Sequence, residues 1–253
     1  MVFLLIAGSA ALASPLGGWF GSRLRAGTLF LSISTGLAGG VLLGTLAFEM
    51  LPNSAATAGK LATVGGFVAG FTIVYIFDLY LNRGFMAGEG SDQWHRLSRL
   101  HRLHKARGSQ VTLLAGGTAI EELIEGVSIG VALAVDPTLG LTIGAAIILD
   151  NLVEGMSIAE IIRAERPDGA SWQMLAWTGV IGFALFSAAT LGRFVLGDMA
   201  GGVTGTLLAI GAGGMFYLTV TDLLPRSAKT QFQQSAALAA ATGFLLMFAI
   251  SGV

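Results

Sequence analysis

Two short stretches of the chain carry the same chemistry. Glu121-Glu122-Leu123-Ile124-Glu125-Gly126-Val127-Ser128-Ile129 and Asp150-Asn151-Leu152-Val153-Glu154-Gly155-Met156-Ser157-Ile158 both read acid, acid or amide, Leu, branched aliphatic, Glu, Gly, any residue, Ser, Ile. In each, the first acid and the later Glu are four residues apart, which puts them on one helix face. Glu122 and Asn151 come one residue later, about 100° round the helix. Both stretches lie inside long apolar runs. A carboxylate in mid-bilayer costs about 2.5–3.5 kcal/mol on insertion scales and is usually kept for function. If the two runs pack antiparallel, Glu121, Glu122, Glu125, Asp150 and Glu154 converge with the amide of Asn151. So many carboxylates repel unless protons or cations neutralise them. Acidic pairs on neighbouring helices resemble the inward-facing sets of two-metal helical bundles. The six residues are therefore candidate metal ligands. Gly126 and Gly155 thin the helices beside the acids and admit close neighbours. Ser128 and Ser157 are expected to bond back to helix carbonyls.

The elements that carry these residues follow from composition. The chain has 253 residues, 54% of them hydrophobic and only 11% charged, with 37 glycines. Soluble domains hold about 25% charged residues. The expected fold is an all-α polytopic membrane protein. There is no cysteine, which excludes disulfides and thiolate metal sites. The net charge is −1, and the basic residues form no nucleic-acid footprint. Eight apolar runs are long enough to cross a bilayer: roughly 2–21, 28–51, 61–82, 110–135, 138–162, 172–196, 201–224 and 232–252. They make one transmembrane domain, 1–253, in the cell membrane. Turn chemistry marks the breaks at Pro52-Asn53-Ser54, Asp136-Pro137, Arg166-Pro167-Asp168-Gly169 and Pro225-Arg226-Ser227. The one long loop, 83–109, is polar and basic. Ala11-Leu12-Ala13 has the small-x-small form of a signal cleavage site. No basic residue precedes it, however, and the first run reads as a span.

Charge fixes the expected orientation. With the N-terminus outside, all basic residues except Lys60 and Arg193 fall on the inner side, a strong positive-inside bias. Both termini then face outward. The sequence also repeats itself in inverted sense. Glu49-Met50-Leu51-Pro52-Asn53-Ser54 at the end of span 2 matches Asp222-Leu223-Leu224-Pro225-Arg226-Ser227 at the end of span 7. Each follows a Gly-Gly pair. Spans 2 and 7 run in opposite directions, as do spans 4 and 5. Inverted-topology repeats of this kind bind substrate near the midplane, between the repeats.

The chain resembles the ZIP (Zrt/Irt-like) metal transporters. The resemblance rests on the eight spans, the loop between spans 3 and 4, the Leu-Pro ends of spans 2 and 7, and the two acidic motifs. That family carries a His-Asn-x-Pro-Glu-Gly type motif on span 4 and a related one on span 5. The resemblance implies a divalent cation as substrate, uptake toward the cytosol, a homodimer, and neither enzymatic activity nor an organic cofactor. It implies a primary site of Glu121, Glu125 and Glu154. An adjacent site would use Glu122, Asp150 and Asn151, with Glu125 and Glu154 as bridges.

The departures from the family motif bear on the ion. Glu121 stands where the family has His, and Ile124 and Val153 stand where it has Pro. Span 6 has no acid, and no histidine lies in any span. Carboxylate and amide oxygens suit harder ions, whereas zinc favours imidazole and thiolate. Selectivity is therefore expected to broaden toward Mn²⁺ and Fe²⁺, with Zn²⁺ and Cd²⁺ retained, and the extra carboxylate of Glu121 invites proton coupling. Trp94–Lys105 reads as an amphipathic helix on anionic lipid. The lone acid Asp78 reads as an isolated hydrogen-bonded or snorkelling group. Glu160 and Glu165 read as partners of Arg163 and Arg166. Two other functions fit less of the sequence. One is a transport-deficient metal sensor or partner subunit. The other is an intramembrane metal hydrolase, which would want imidazole around its metal.

Overall fold

The computed structural model describes residues 1–24, 27–81, 110–165, 170–228 and 232–251. The basic loop, with His95, His101, His104 and the Trp94–Lys105 segment, lies outside them. All the described elements are helical. Helix α1 is Val2–Leu24, and α2 is Thr28–Ala58. Helix α3 is Lys60–Ile76 continued by Phe77–Leu81. The two motif helices are α4, Gln110–Val135, and α5, Pro137–Glu165. Helix α6 is Ala170–Leu191 continued by Gly192–Leu196. Helix α7 is Gly201–Ala228, and α8 is Gln233–Ile250. All but α4 are long and apolar enough to cross a membrane. Helix α4 has 26 residues, but every membrane-length stretch of it includes Glu121, Glu122 and Glu125.

The helices pair through small residues spaced four apart, a spacing that brings backbones close. Gly17 and Gly21 of α1 meet Leu152 and Met156 of α5, and Gly126 and Gly130 of α4 meet Leu185 and Ala189 of α6. Gly36 and Gly40 of α2 meet Ala236 and Ala240 of α8, and Gly66 and Gly70 of α3 meet Thr206 and Ile210 of α7. Both partners advance together in all four pairs, so each pair is parallel. Exchanging α1 with α6, α2 with α7, α3 with α8 and α4 with α5 turns this set of pairs into itself. The packing has the two-fold internal symmetry expected of the repeat.

Two antiparallel pairs sit at its centre. Helices α4 and α5 meet at Thr118 and Glu154, and again at the hairpin, where Gly140 lies on Leu133. Between α2 and α7, Ser54 Oγ donates to the Gly205 carbonyl at 2.7 Å. At the other end Ser32 Oγ donates to the Ser227 carbonyl at 2.6 Å. The end of each helix meets the start of the other.

The Leu-Pro motifs do not end their helices. Helices α2 and α7 continue through Pro52 and Pro225 to Ala58 and Ala228. A proline inside a helix lacks an N–H and clashes with the carbonyl four residues back. Here a widened turn lies directly upstream of each. The N–H of Leu51 reaches back five residues to the Leu46 carbonyl, and that of Leu224 to Thr219. Such π turns are frequent at functional sites. Helices α4 and α5 lack prolines within their motifs and run through them without such a turn. The core lies around α4, α5, α2 and α7, where Leu42, Leu46, Met50, Ile129, Ile143 and Ile147 are fully enclosed.

Candidate metal centre

Helices α4 and α5 present their acids to each other because both motifs use the i,i+4 face and the helices run antiparallel. Glu121, Glu125 and Asp150 are all buried, and each offers a carboxylate oxygen within 4.8 Å of those of the other two. Three oxygens at that separation can close on one divalent ion. Neighbouring helices approach closely behind both motifs. Gly126 follows Glu125 and lies against α6, where a side chain would collide with the Leu185 carbonyl and come within 2.8 Å of Ala188 Cβ. Gly155 follows Glu154 and lies against α1, where a side chain would collide with the Ser14 carbonyl and come within 2.8 Å of the Gly18 nitrogen.

The remaining sequence candidates divide by direction. Glu154 is half-buried and accepts a hydrogen bond from Thr118 Oγ1 at 2.7 Å. It shares one narrow cavity, about 10 Å³, with Glu121 and Asp150. Glu122 is fully buried and points round the helix toward α1. It accepts from Ser14 Oγ at 3.3 Å and from Asn151 Nδ2 at 3.0 Å. Asn151 Nδ2 also donates to the Ala10 carbonyl at 3.3 Å. The second residues of the two motifs thus meet each other and fasten α1 to the α4–α5 pair. The expected partition of ligands differs from this geometry at two residues: Asp150 groups with Glu121 and Glu125 rather than with Glu122 and Asn151, and Glu154, expected with Glu121 and Glu125, lies beside that group on the cavity wall. Ser128 and Ser157 bond back to the Ile124 and Val153 carbonyls at 2.8 and 3.1 Å.

Asp222 and Arg226 also line the cavity, with Thr35, Val153 and Leu223. The Arg226 guanidinium donates to the Asp222 carboxylate one helical turn back. These residues were missed as site residues in the sequence. The signal for Asp222 was present, since it is the acid of the Leu-Pro motif that repeats around Glu49. The charge pattern reads Arg226 as a loop residue, but α7 runs past Pro225 and carries it into the cavity wall. Asp78 stays inside the protein, 1% exposed, and accepts from Tyr217 Oη at 2.7 Å. That satisfies the hydrogen-bonding alternative and excludes snorkelling. Arg163 donates to the Gly21 carbonyl at 2.6 Å. The side chains of Glu160 and Glu165, its expected partners, lie outside the described residues.

A family model described as ZIP Zinc transporter matches residues 88–251. Among curated proteins, the zinc transporter ZupT of Shigella dysenteriae serotype 1 (strain Sd197) is 25% identical over 228 residues. That alignment covers 89% of this chain and 85% of the relative. The zinc transporter ZupT of Escherichia coli O7:K1 (strain IAI39 / ExPEC) aligns with the same identity and coverage. That of Shigella flexneri serotype 5b (strain 8401) is 25% identical over 226 residues.

Proposed function

This chain belongs to the ZIP zinc transporter family, a multi-pass membrane protein that transports divalent metal, and on that premise we propose that its ion is carried between α4 and α5. One observation carries the proposal: Glu121, Glu125 and Asp150 turn three buried carboxylates to within 4.8 Å of one another. Such a cluster in a bilayer is stable only when its charge is matched, and a divalent cation matches two of the three charges. Glu154 and Asp222 lie next along the cavity. Glu122 and Asn151 complete a neighbouring position, which Glu122 reaches by leaving Ser14.

The directions of the pairs support eight crossings with α4 among them. Parallel partners are all of the same parity in chain order (α1 with α5, α2 with α8, α3 with α7, α4 with α6). Antiparallel partners are of opposite parity (α2 with α7, α4 with α5). That is the pattern of a chain that crosses the bilayer at every helix. The basic residues put both termini outside, the flux runs toward the cytosol, and two copies assemble.

The donors are oxygens alone. They lower the preference for zinc relative to a site with imidazole and admit manganese and iron. The relatives are named for zinc, and zinc remains a substrate. The test is uptake by liposomes holding the purified chain, with Zn²⁺, Mn²⁺, Fe²⁺, Co²⁺ and Cd²⁺ compared. Uptake of several ions, lost in Glu125→Ala with the protein still folded, is the expected result. A tenfold preference for zinc over manganese would sink the selectivity claim. Binding without uptake would make the chain a sensor.

A further inference from the structure

The cavity beside the carboxylates contains a cation of its own. Its charged walls are Glu121, Asp150, Glu154 and Asp222, with Arg226 facing them. Arg226 sits at the far end of α7, beyond the π turn and Pro225. It holds Asp222 one turn back while 32% of its side chain stays accessible, against 11% for Asp222. The guanidinium thus lines the cavity together with the carboxylates and is paired with one of them. It belongs to the same chain as they do, so it can neither diffuse away nor be transported.

We propose that Arg226 is a tethered counter-cation that competes with the transported ion for the cavity carboxylates and speeds its release. This rests on the transport reading above and goes beyond it. Like charges in a poorly solvated space repel strongly. A divalent ion in the cavity must push the guanidinium outward, and its return toward Asp222, Asp150 and Glu154 expels the ion. Arginine suits the task because it stays charged at any physiological pH and its planar fork fits carboxylates. The device trades affinity for turnover. Arg226 is a positioning residue here: it takes the carboxylates from the ion and is never itself a ligand.

The test pairs equilibrium Zn²⁺ binding in detergent with Zn²⁺ uptake in liposomes, for the parent chain, Arg226→Gln and Arg226→Lys. Arg226→Gln is expected to bind zinc at least about tenfold more tightly. Its maximal uptake rate and KM should fall together. Arg226→Lys keeps the charge but not the planar fork and should fall between the parent and Arg226→Gln. A residue that only braces α7 would weaken binding or leave it unchanged, and either result in Arg226→Gln overturns the proposal. If Arg226→Gln does not fold, the same comparison is made on the Asp222→Asn background, where adding Arg226→Gln must again tighten zinc binding. No tightening there overturns the proposal as well. Failure of the parent chain to bind or transport zinc overturns it together with zinc as a substrate. Normal parent transport with no shift in the variants overturns the counter-cation alone.

Discussion

The ends of α2 and α7 have nearly the same backbone and different chemistry. In both, a π turn precedes Leu-Pro, and a serine two residues past the proline marks a contact with the start of the other helix. In α2 the acid is Glu49, and the residue four further on is Asn53. The amide of Asn53 turns back to the Glu49 carbonyl at 2.8 Å, and the Glu49 side chain is half-buried away from the cavity. In α7 the acid is Asp222, and the residue four further on is Arg226, which pairs with the carboxylate on the cavity wall. The internal symmetry is a property of helix approach and hydrogen-bonded ends. The proposed ion pathway is a departure from it, made by one side chain per position. Variants at symmetric contacts should therefore behave as twins, and variants at the cavity should not.

The helix contacts behind the two motif glycines should give the largest effects. Gly126→Val and Gly155→Val each force a branched side chain into backbone of the adjoining helix, α6 or α1. Overpacking a core costs about 1–3 kcal/mol where side chains can move aside. Here backbone stands in the way, so each loss should exceed that range. Heating detergent-solubilised protein and following the monodisperse fraction reads the loss. Comparable collapse in both variants fits the symmetry, and tolerance of one with loss of the other would break it.

Next come the two acids. Asp222→Asn removes a cavity carboxylate and leaves the partly exposed Arg226 with one partner fewer. Zinc uptake should fall at least about tenfold, as expected when an intramembrane charge on the pathway is lost. Glu49→Gln should change it less than about twofold, because a half-buried group at an interface contributes little. Equal losses would mean that the cavity has a second arm along α2 and that the asymmetry is superficial.

Much of this contrast could be read from the sequence, and the unread part has a physical cause. The spacing of Glu121 and Glu125, and of Asp150 and Glu154, defines a helix face, and a face is enough to predict which acids meet across an antiparallel pair. Glu122 lies about 100° away, and periodicity says only that it points elsewhere. Its partner Ser14 is 108 residues distant, on a helix whose position relative to α4 no local pattern encodes. Arg226 was hidden for another reason. Proline and basic residues both signal the end of a span, and the charge rule assigns such a residue to a surface loop. The π turn lets α7 continue, so Arg226 belongs to the cavity wall. The same turn carries α2 beyond Pro52, where Asn53 is uncharged.

A smaller effect is expected at the serine contacts. Ser54→Ala removes a hydrogen bond to the Gly205 carbonyl, and Ser32→Ala removes one to the Ser227 carbonyl. Interhelical hydrogen bonds in membrane proteins contribute about 0.6 kcal/mol on average. Ser54 also shares a 2.9 Å contact with Thr63 Oγ1, which Ser32 lacks among the described bonds. The Ser54 variant should therefore lose slightly more. Thermal midpoints differing by more than a few degrees would show that the two ends are not equivalent in stability.

The smallest effect belongs to the hairpin between the two motif helices. Exchanging α4 with α5 maps their hairpin onto itself, so Asp136 stands alone. Its Oδ1 accepts from the N–H groups of Thr138 at 2.7 Å and Leu139 at 3.0 Å, capping the start of α5. Those two bonds favour the charged form and hold the carboxyl below the usual aspartate range. A carboxyl depressed in the folded state stabilises it at pH values above the ordinary aspartate pKa, and that contribution is lost as pH falls through the depressed value. Asp136→Ala should then lower the thermal midpoint slightly at pH 7. The gap to the parent should narrow as pH drops below about 4, the ordinary aspartate range, and close in stronger acid. Because Asp136 is at the protein surface, the gap should be small throughout. A gap that stays constant down to the lowest pH would mean that the side chain stabilises the hairpin by contact and not by charge.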